Sequence, residues 1–102
     1  MKIIIDECVP SIVKKGLPQR QINTVQEMGW AGIKNGELLK LTDDQFEIFI
    51  TSDKNLRYQQ NPTERKVTII LLPSNQVPVI KILLPKIDET IRLVQPSEFT
   101  EI

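Results

Sequence analysis

Three short stretches of this chain are apolar without alternation: Ile3-Ile4-Ile5, Ile48-Phe49-Ile50 and the run from Val67 to Leu72. Successive strand residues point to opposite faces, so a strand with one wet face alternates polar and apolar side chains. These runs need cover on both faces, which is the situation of parallel strands sandwiched between helices. Helical signals lie among them. Pro10 suits a first turn, Ile12 and Val13 begin an apolar face, and Gly16 is a good stop, which predicts a short helix over residues 10–16. Asn35 reads as the N-cap of a helix reaching Leu41, with Leu38, Leu39 and Leu41 turned inward. Ile80, Leu83, Leu84, Ile87, Ile91 and Val94 follow helical spacing, with Pro85 kinking or splitting that helix. Residues 21–25, 46–51, 67–72 and 99–102 read as the later strands, and Asp53 as the cap of a short helix over residues 54–60. This alternation predicts an α/β fold with a mostly parallel sheet of four or five strands and right-handed crossovers.

At 102 residues the chain is expected to be one domain spanning residues 1–102, without repeats or linkers. Cys8 is the only cysteine and there is no histidine. That removes intrachain disulfides, His-based triads and imidazole metal ligands, and leaves carboxylates, hydroxyls, amides, Lys and Arg to carry any chemistry. Thirteen basic and thirteen acidic residues cancel, so binding a polyanion would require a local basic patch. No segment approaches the roughly 20 apolar residues that span a bilayer, and one Lys followed by three Ile is short for a signal peptide. The expectation is a cytoplasmic protein with no membrane association.

Two of the strand-like runs end on acids. Ile5 is followed by Asp6 and Glu7, and Ile50 by Thr51, Ser52 and Asp53; a third acid, Glu37, lies in the first turn of the predicted middle helix. In open parallel sheets, sites form beyond the carboxyl ends of the strands. Carboxylates converging there suit a hard cation such as Mg²⁺ or Mn²⁺, which can activate water and orient a phosphodiester. The plainer alternative treats Asp6 and Glu7 as a strand end, Asp53 as a helix cap with Thr51 or Ser52 as alternatives, and Glu37 as a first-turn acid favoured by the helix dipole. Asp43 and Asp44 read as a solvated turn. Lys54, Arg57, Arg65 and Lys66, with Tyr58 among them, could grip a phosphate backbone and stack a base, against a plain solvated face. Trp30, in a glycine-rich turn, reads as packing on the sheet edge, and Cys8 as a small buried apolar residue.

Taken together, the stretch Ile3 to Glu7, the stretch Gly29-Trp30-Ala31-Gly32-Ile33-Lys34-Asn35-Gly36-Glu37-Leu38-Leu39 and the stretch Ile50 to Asn61 resemble small bacterial PIN-like proteins, which are related to PIN-domain ribonuclease toxins. The resemblance runs from Met1 to about Val94. It implies a three-layer α/β/α fold, an acidic Mg²⁺ or Mn²⁺ pocket and cleavage of single-stranded RNA. It also implies a small antitoxin protein as partner and a homodimer. Carried over by position, the pocket acids are Asp6, Glu37 and Asp53, with Asn55 beside them. Lys54, Arg57 and Arg65 would position the RNA phosphates, with Glu7 and Asn55 in a secondary place. Two departures stand out. Cys8 occupies a position where this family often has Asn, and the stretch Leu72-Pro73-Ser74-Asn75-Gln76 lacks the fourth acid of full PIN nucleases. The leading expectation is therefore a metal-dependent ribonuclease toxin. Its rival is a PIN-like module that binds RNA or a protein and is weakly catalytic or inactive.

Overall fold

The computed structural model describes residues 1–55 and 65–102. Strands β1 (Lys2–Ile5), β2 (Gln21–Thr24), β3 (Ile48–Thr51), β4 (Thr68–Leu71) and β5 (Phe99–Glu101) alternate with helices α1 (Ile12–Gly16), α2 (Asn35–Gln45) and α3 (Val77–Leu93). The strands form one sheet in the order β2-β1-β3-β4-β5, and every neighbouring pair is parallel. This is an α/β fold whose five-stranded parallel sheet is flanked by helices. Register places Ile3 opposite Ile48 and Ile5 opposite Ile50, so β1 and β3 run out of the sheet at the same level.

The unbroken apolar runs are explained by two separate cores. Ile3, Ile5, Ile48, Ile50 and Ile70 face α1 and α3, where they meet Val13, Leu17, Ile80, Ile87 and Ile91. Ile4, Phe49 and Ile69 point the other way and pack with Leu38 of α2, Val25 and Phe46. Trp30 closes the second core against Phe46, ring edge to ring face at 6.1 Å between centroids.

Several expectations are revised. Helix α2 continues to Gln45, and Lys34 rather than Asn35 is its N-cap. Asp43 consequently sits in the last turn of a helix instead of a solvated turn. Its Oδ1 accepts the backbone N–H groups of Lys66 at 2.6 Å and Val67 at 2.7 Å, tying α2 to the start of β4. Helix α3 is not split at Pro85, which lies on its exposed side. Lys54 and Asn55 form a turn, and the remainder of the short helix expected after Asp53 falls outside the described residues. The crossovers also differ in hand. The β1-α1-β2 and β4-α3-β5 units cover the same face yet step across the sheet in opposite directions. The β2-α2-β3 unit steps the same way as β4-α3-β5 but over the other face. The β1-α1-β2 and β2-α2-β3 units therefore share one hand and β4-α3-β5 has the opposite hand, so the crossovers are not uniformly right-handed.

Candidate functional site

From β1 the chain crosses to β2 on one side, while β3 lies against the other side of β1. That reversal opens a crevice beyond the carboxyl ends of β1 and β3, where doubly wound sheets place their ligands. The residues emerging there are Asp6, Glu7 and Cys8 after β1, and Ser52 and Asp53 after β3. They enclose a cleft of about 330 Å³, completed by Ile33 and Asn75.

Asp6 is the most constrained of these. The main chain fixes it, because its N–H donates to the Ile50 carbonyl at 2.9 Å and prolongs the β1–β3 ladder. The residue is only 7% exposed. Oδ1 accepts the Glu7 N–H at 2.9 Å, and Oδ2 accepts the Thr51 hydroxyl at 2.8 Å and, more weakly, the Cys8 thiol at 3.6 Å. Burial pushes the Asp6 carboxyl above the ordinary aspartate value, and the nearby Glu7 charge adds to the rise; the bonds from Thr51, Glu7 and Cys8 pull in the other direction without cancelling it. A carboxylate that folding makes harder to ionise weakens the fold at neutral pH, so its position at the mouth of a cleft is not explained by stability.

Thr51 joins the two acids. The hydroxyl that donates to Asp6 also accepts the Asp53 N–H at 3.0 Å, and Asp53 Oδ1 in turn accepts the Asn55 N–H at 3.0 Å. The Ser52 hydroxyl donates to Cys8 Sγ at 3.2 Å. Cys8 thus lines the cleft half-buried while also packing against the first core. Glu7 Oε1 accepts the Gly32 N–H at 3.2 Å, and Gly32 holds a φ of +84° that L side chains rarely adopt. The Trp-Ala-Gly turn is thereby tied to the rim of the cleft.

Folding brings Asp6 and Asp53 into this cleft, with Glu7 as its third acid. Glu37 is exposed in the first turn of α2 and is not part of the cleft wall. Lys54 is exposed and borders a separate depression of about 130 Å³ with Leu72, Pro73, Glu101 and Ile102. Asn55 engages Asp53 through its backbone N–H and is exposed. Arg57 lies outside the described residues. Arg65 departs from its expected role. It precedes β4, at the amino edge of the sheet, whereas the cleft lies at the carboxyl edge. It is 7% exposed, its Nε donates to the Val67 carbonyl at 3.0 Å, and burial lowers its pKa against the opposing pull of Asp43. Arg65 braces the entry to β4 and is not placed to hold a phosphate at this cleft.

Sequence reasoning missed Thr51 as the clamp and Asn75 as part of the wall. Thr51 carried one usable signal, as a hydroxyl at the last strand position two residues before Asp53. No family model, curated protein or solved structure matches this chain. Among the described residues, no group of three or more His, Cys, Asp or Glu side chains is placed to hold a metal ion. Mg²⁺ commonly takes only one or two carboxylates and completes its shell with water and substrate phosphate. Asp6 and Asp53 are oxygen donors of the type that mode uses.

Proposed function

We propose that this protein is a Mg²⁺- or Mn²⁺-dependent ribonuclease that cleaves single-stranded RNA at the carboxyl-edge cleft, and that it acts as the toxin of a toxin–antitoxin pair. The observation that carries the nuclease reading is Asp6: an acid kept largely buried at the switch point of the sheet, against its own ionisation, facing a cleft that also holds Asp53 and Glu7. The toxin role and the small antitoxin partner rest on the resemblance of the Ile3–Glu7, Gly29–Leu39 and Ile50–Asn61 stretches to PIN-like proteins.

Asp6 and Asp53 would hold the cation, which when bound supplies positive charge against the phosphate and lowers the pKa of water. Thr51 sets the relative position of the two acids by bonding both residues through one buried oxygen. Ser52 and Asn75 offer neutral polar groups along the wall, able to orient a phosphodiester or its water. Lys54, exposed directly after Asp53, would supply a charge for a neighbouring phosphate, against the opposing charge of Glu101 in the same depression.

The test is cleavage of single-stranded RNA by the purified protein with Mn²⁺, compared with Asp6→Asn and Asp53→Asn. Cleavage in the parent and loss of at least about a hundredfold in both variants supports the reading. Equal cleavage in all three removes it. A second reading, a module that binds RNA or protein without cutting, is favoured by two observations: Glu37 stands outside the cleft wall, and the stretch after β4 adds Asn75 rather than an acid. RNA retention without cleavage in the same assay would select it.

A further inference from the structure

At the amino edge of the sheet, opposite the acidic cleft, lies a larger cavity of about 470 Å³ that the proposed reaction does not use. Its apolar wall comes from Phe46 and Ile48, where α2 leads into β3, and from Val94 and Pro96, where α3 leads toward β5. Its polar wall comes from Asp43 and Asp44 at the end of α2, from Glu47, and from Lys66 and Thr68 at the entry to β4. Small-molecule sites commonly measure about 300–1,000 Å³ and pair an apolar lining with a few polar groups, and this cavity answers to that description.

The polar groups at this cavity mostly accept hydrogen bonds. Thr68 is 2% exposed and its hydroxyl already donates to the Gln95 carbonyl at 2.6 Å, so only its lone pairs remain to offer. The Glu47 N–H, which would close the next bond of α2 on the Asp43 carbonyl, donates instead to the Lys2 carbonyl at 2.9 Å. The negative end of the α2 dipole therefore lies at the cavity. A basic residue is the favoured occupant of such a last turn, yet α2 has none there and carries Asp43 and Asp44. Asp43 is spent on the Lys66 and Val67 N–H groups, whereas Asp44 makes no hydrogen bond or ion pair among the described residues. The cations on the wall are Lys66 and the Met1 amino group, against the three acids and the helix end. The Phe46 ring, for its part, has Lys2 Nζ over it at 5.6 Å, so it already serves as a partner for an ammonium group. We propose that this cavity binds a small amphipathic organic cation, an alkyl or aryl amine. Its apolar body would lie against Phe46, Ile48, Val94 and Pro96, and its ammonium would sit at the end of α2 beside Asp44. The inference does not depend on the ribonuclease reading.

Amide NMR shifts of the isotope-labelled protein, titrated with phenethylamine, test it. Phenethyl alcohol and phenylacetate serve as the uncharged and anionic counterparts of similar size. The amine is expected to give saturable shifts at the amides of Phe46, Ile48 and Thr68, with a dissociation constant on the order of 1 mM for so small a probe. The alcohol is expected to bind at least about fivefold more weakly, and phenylacetate to leave these amides unmoved. Asp44→Asn is expected to weaken the amine by about three- to tenfold, and Lys66→Gln, which removes an opposing charge, to strengthen it. Both residues are exposed, so the dispersion of each variant's spectrum and its thermal unfolding are expected to match the parent and serve as the folding check. No saturable shift with the amine, equal binding of amine and alcohol, or charge variants that fail to act in opposite directions overturns the inference. Shifts at these amides from a lysine-rich peptide but not from the free amine would assign the cavity to a protein partner and overturn it as well.

Discussion

Replacing Thr51 with Val preserves volume and β-branching in a fully buried strand position and deletes a single oxygen. That oxygen makes two short bonds, donating to Asp6 Oδ2 at 2.8 Å and accepting the Asp53 N–H at 3.0 Å, and a weaker contact with Cys8 Sγ at 3.7 Å. A hydrogen bond to a charged acceptor contributes about 1.5–3 kcal/mol, and a donor left without its partner costs about 1–3 kcal/mol. Because the Asp53 N–H is only partly buried, the lower end applies to it, and the combined loss is about 3 kcal/mol where Asp6 is ionised. For a chain of this length that corresponds to a fall in Tm on the order of 10–20 °C. The pH dependence has a defined sign. Without the Thr51 bond, the already raised Asp6 pKa rises further. A raised carboxyl pKa contributes stability that is full below the unfolded value and is lost as pH rises through the folded value. The deficit of the variant is therefore largest above the folded pKa of Asp6 and shrinks as the acid is protonated. Urea unfolding of both proteins at neutral pH and again near pH ~4, around the unfolded carboxyl value, measures this. A deficit under about 0.5 kcal/mol at neutral pH, or one that is flat or grows on acidification, would refute the clamp.

Other consequences are open to measurement. Asp6→Asn removes the buried charge but keeps only one of the two acceptor oxygens, so with the Glu7 N–H still accepted its amide NH2 must donate to the Thr51 hydroxyl instead of accepting from it; without metal its Tm relative to the parent is expected to be most favourable at neutral pH and to fall in acid, and a relative Tm that rises on acidification would contradict this. Asp43→Ala strips two backbone donors, Lys66 and Val67, of their acceptor and is expected to cost about 2–3 kcal/mol, whereas the exposed neighbour change Asp44→Ala should stay within about 0.5 kcal/mol by chemical denaturation. Gly32→Ala places a Cβ on a backbone with φ +84° and is expected to cost about 1 kcal/mol while loosening the Glu7 contact, visible as a lower Tm and a perturbed Trp30 fluorescence.

The layered fold was legible because Ile3–Ile5, Ile48–Ile50 and Val67–Leu72 lack alternation, and only a sheet covered on both faces accommodates that. The same logic located the cleft, since Asp6 and Asp53 each follow the last residues of neighbouring parallel strands. What stayed hidden depends on contacts distant in sequence. Arg65 and Lys54 are close along the chain, but β4 begins at the edge opposite to the one where β3 ends, so their grouping as one basic patch did not survive folding. Asp43 carries no local mark of its bonds to Lys66 and Val67, which arise only once α2 and β4 are assembled. Glu37 was placed correctly on a helix start, yet helix position alone does not fix which carboxylates share a cleft. The opposite hand of the last crossover is likewise a property of the assembled sheet, invisible to periodicity.

Titration calorimetry of Mn²⁺ into the parent protein and into Asp6→Asn and Asp53→Asn tests the central claim most directly, because it reads the cleft itself rather than any particular RNA. The account predicts saturable binding by the parent that is lost in both variants. Absence of binding by the parent, or the same heat of binding after Asp6 is neutralised, would contradict it.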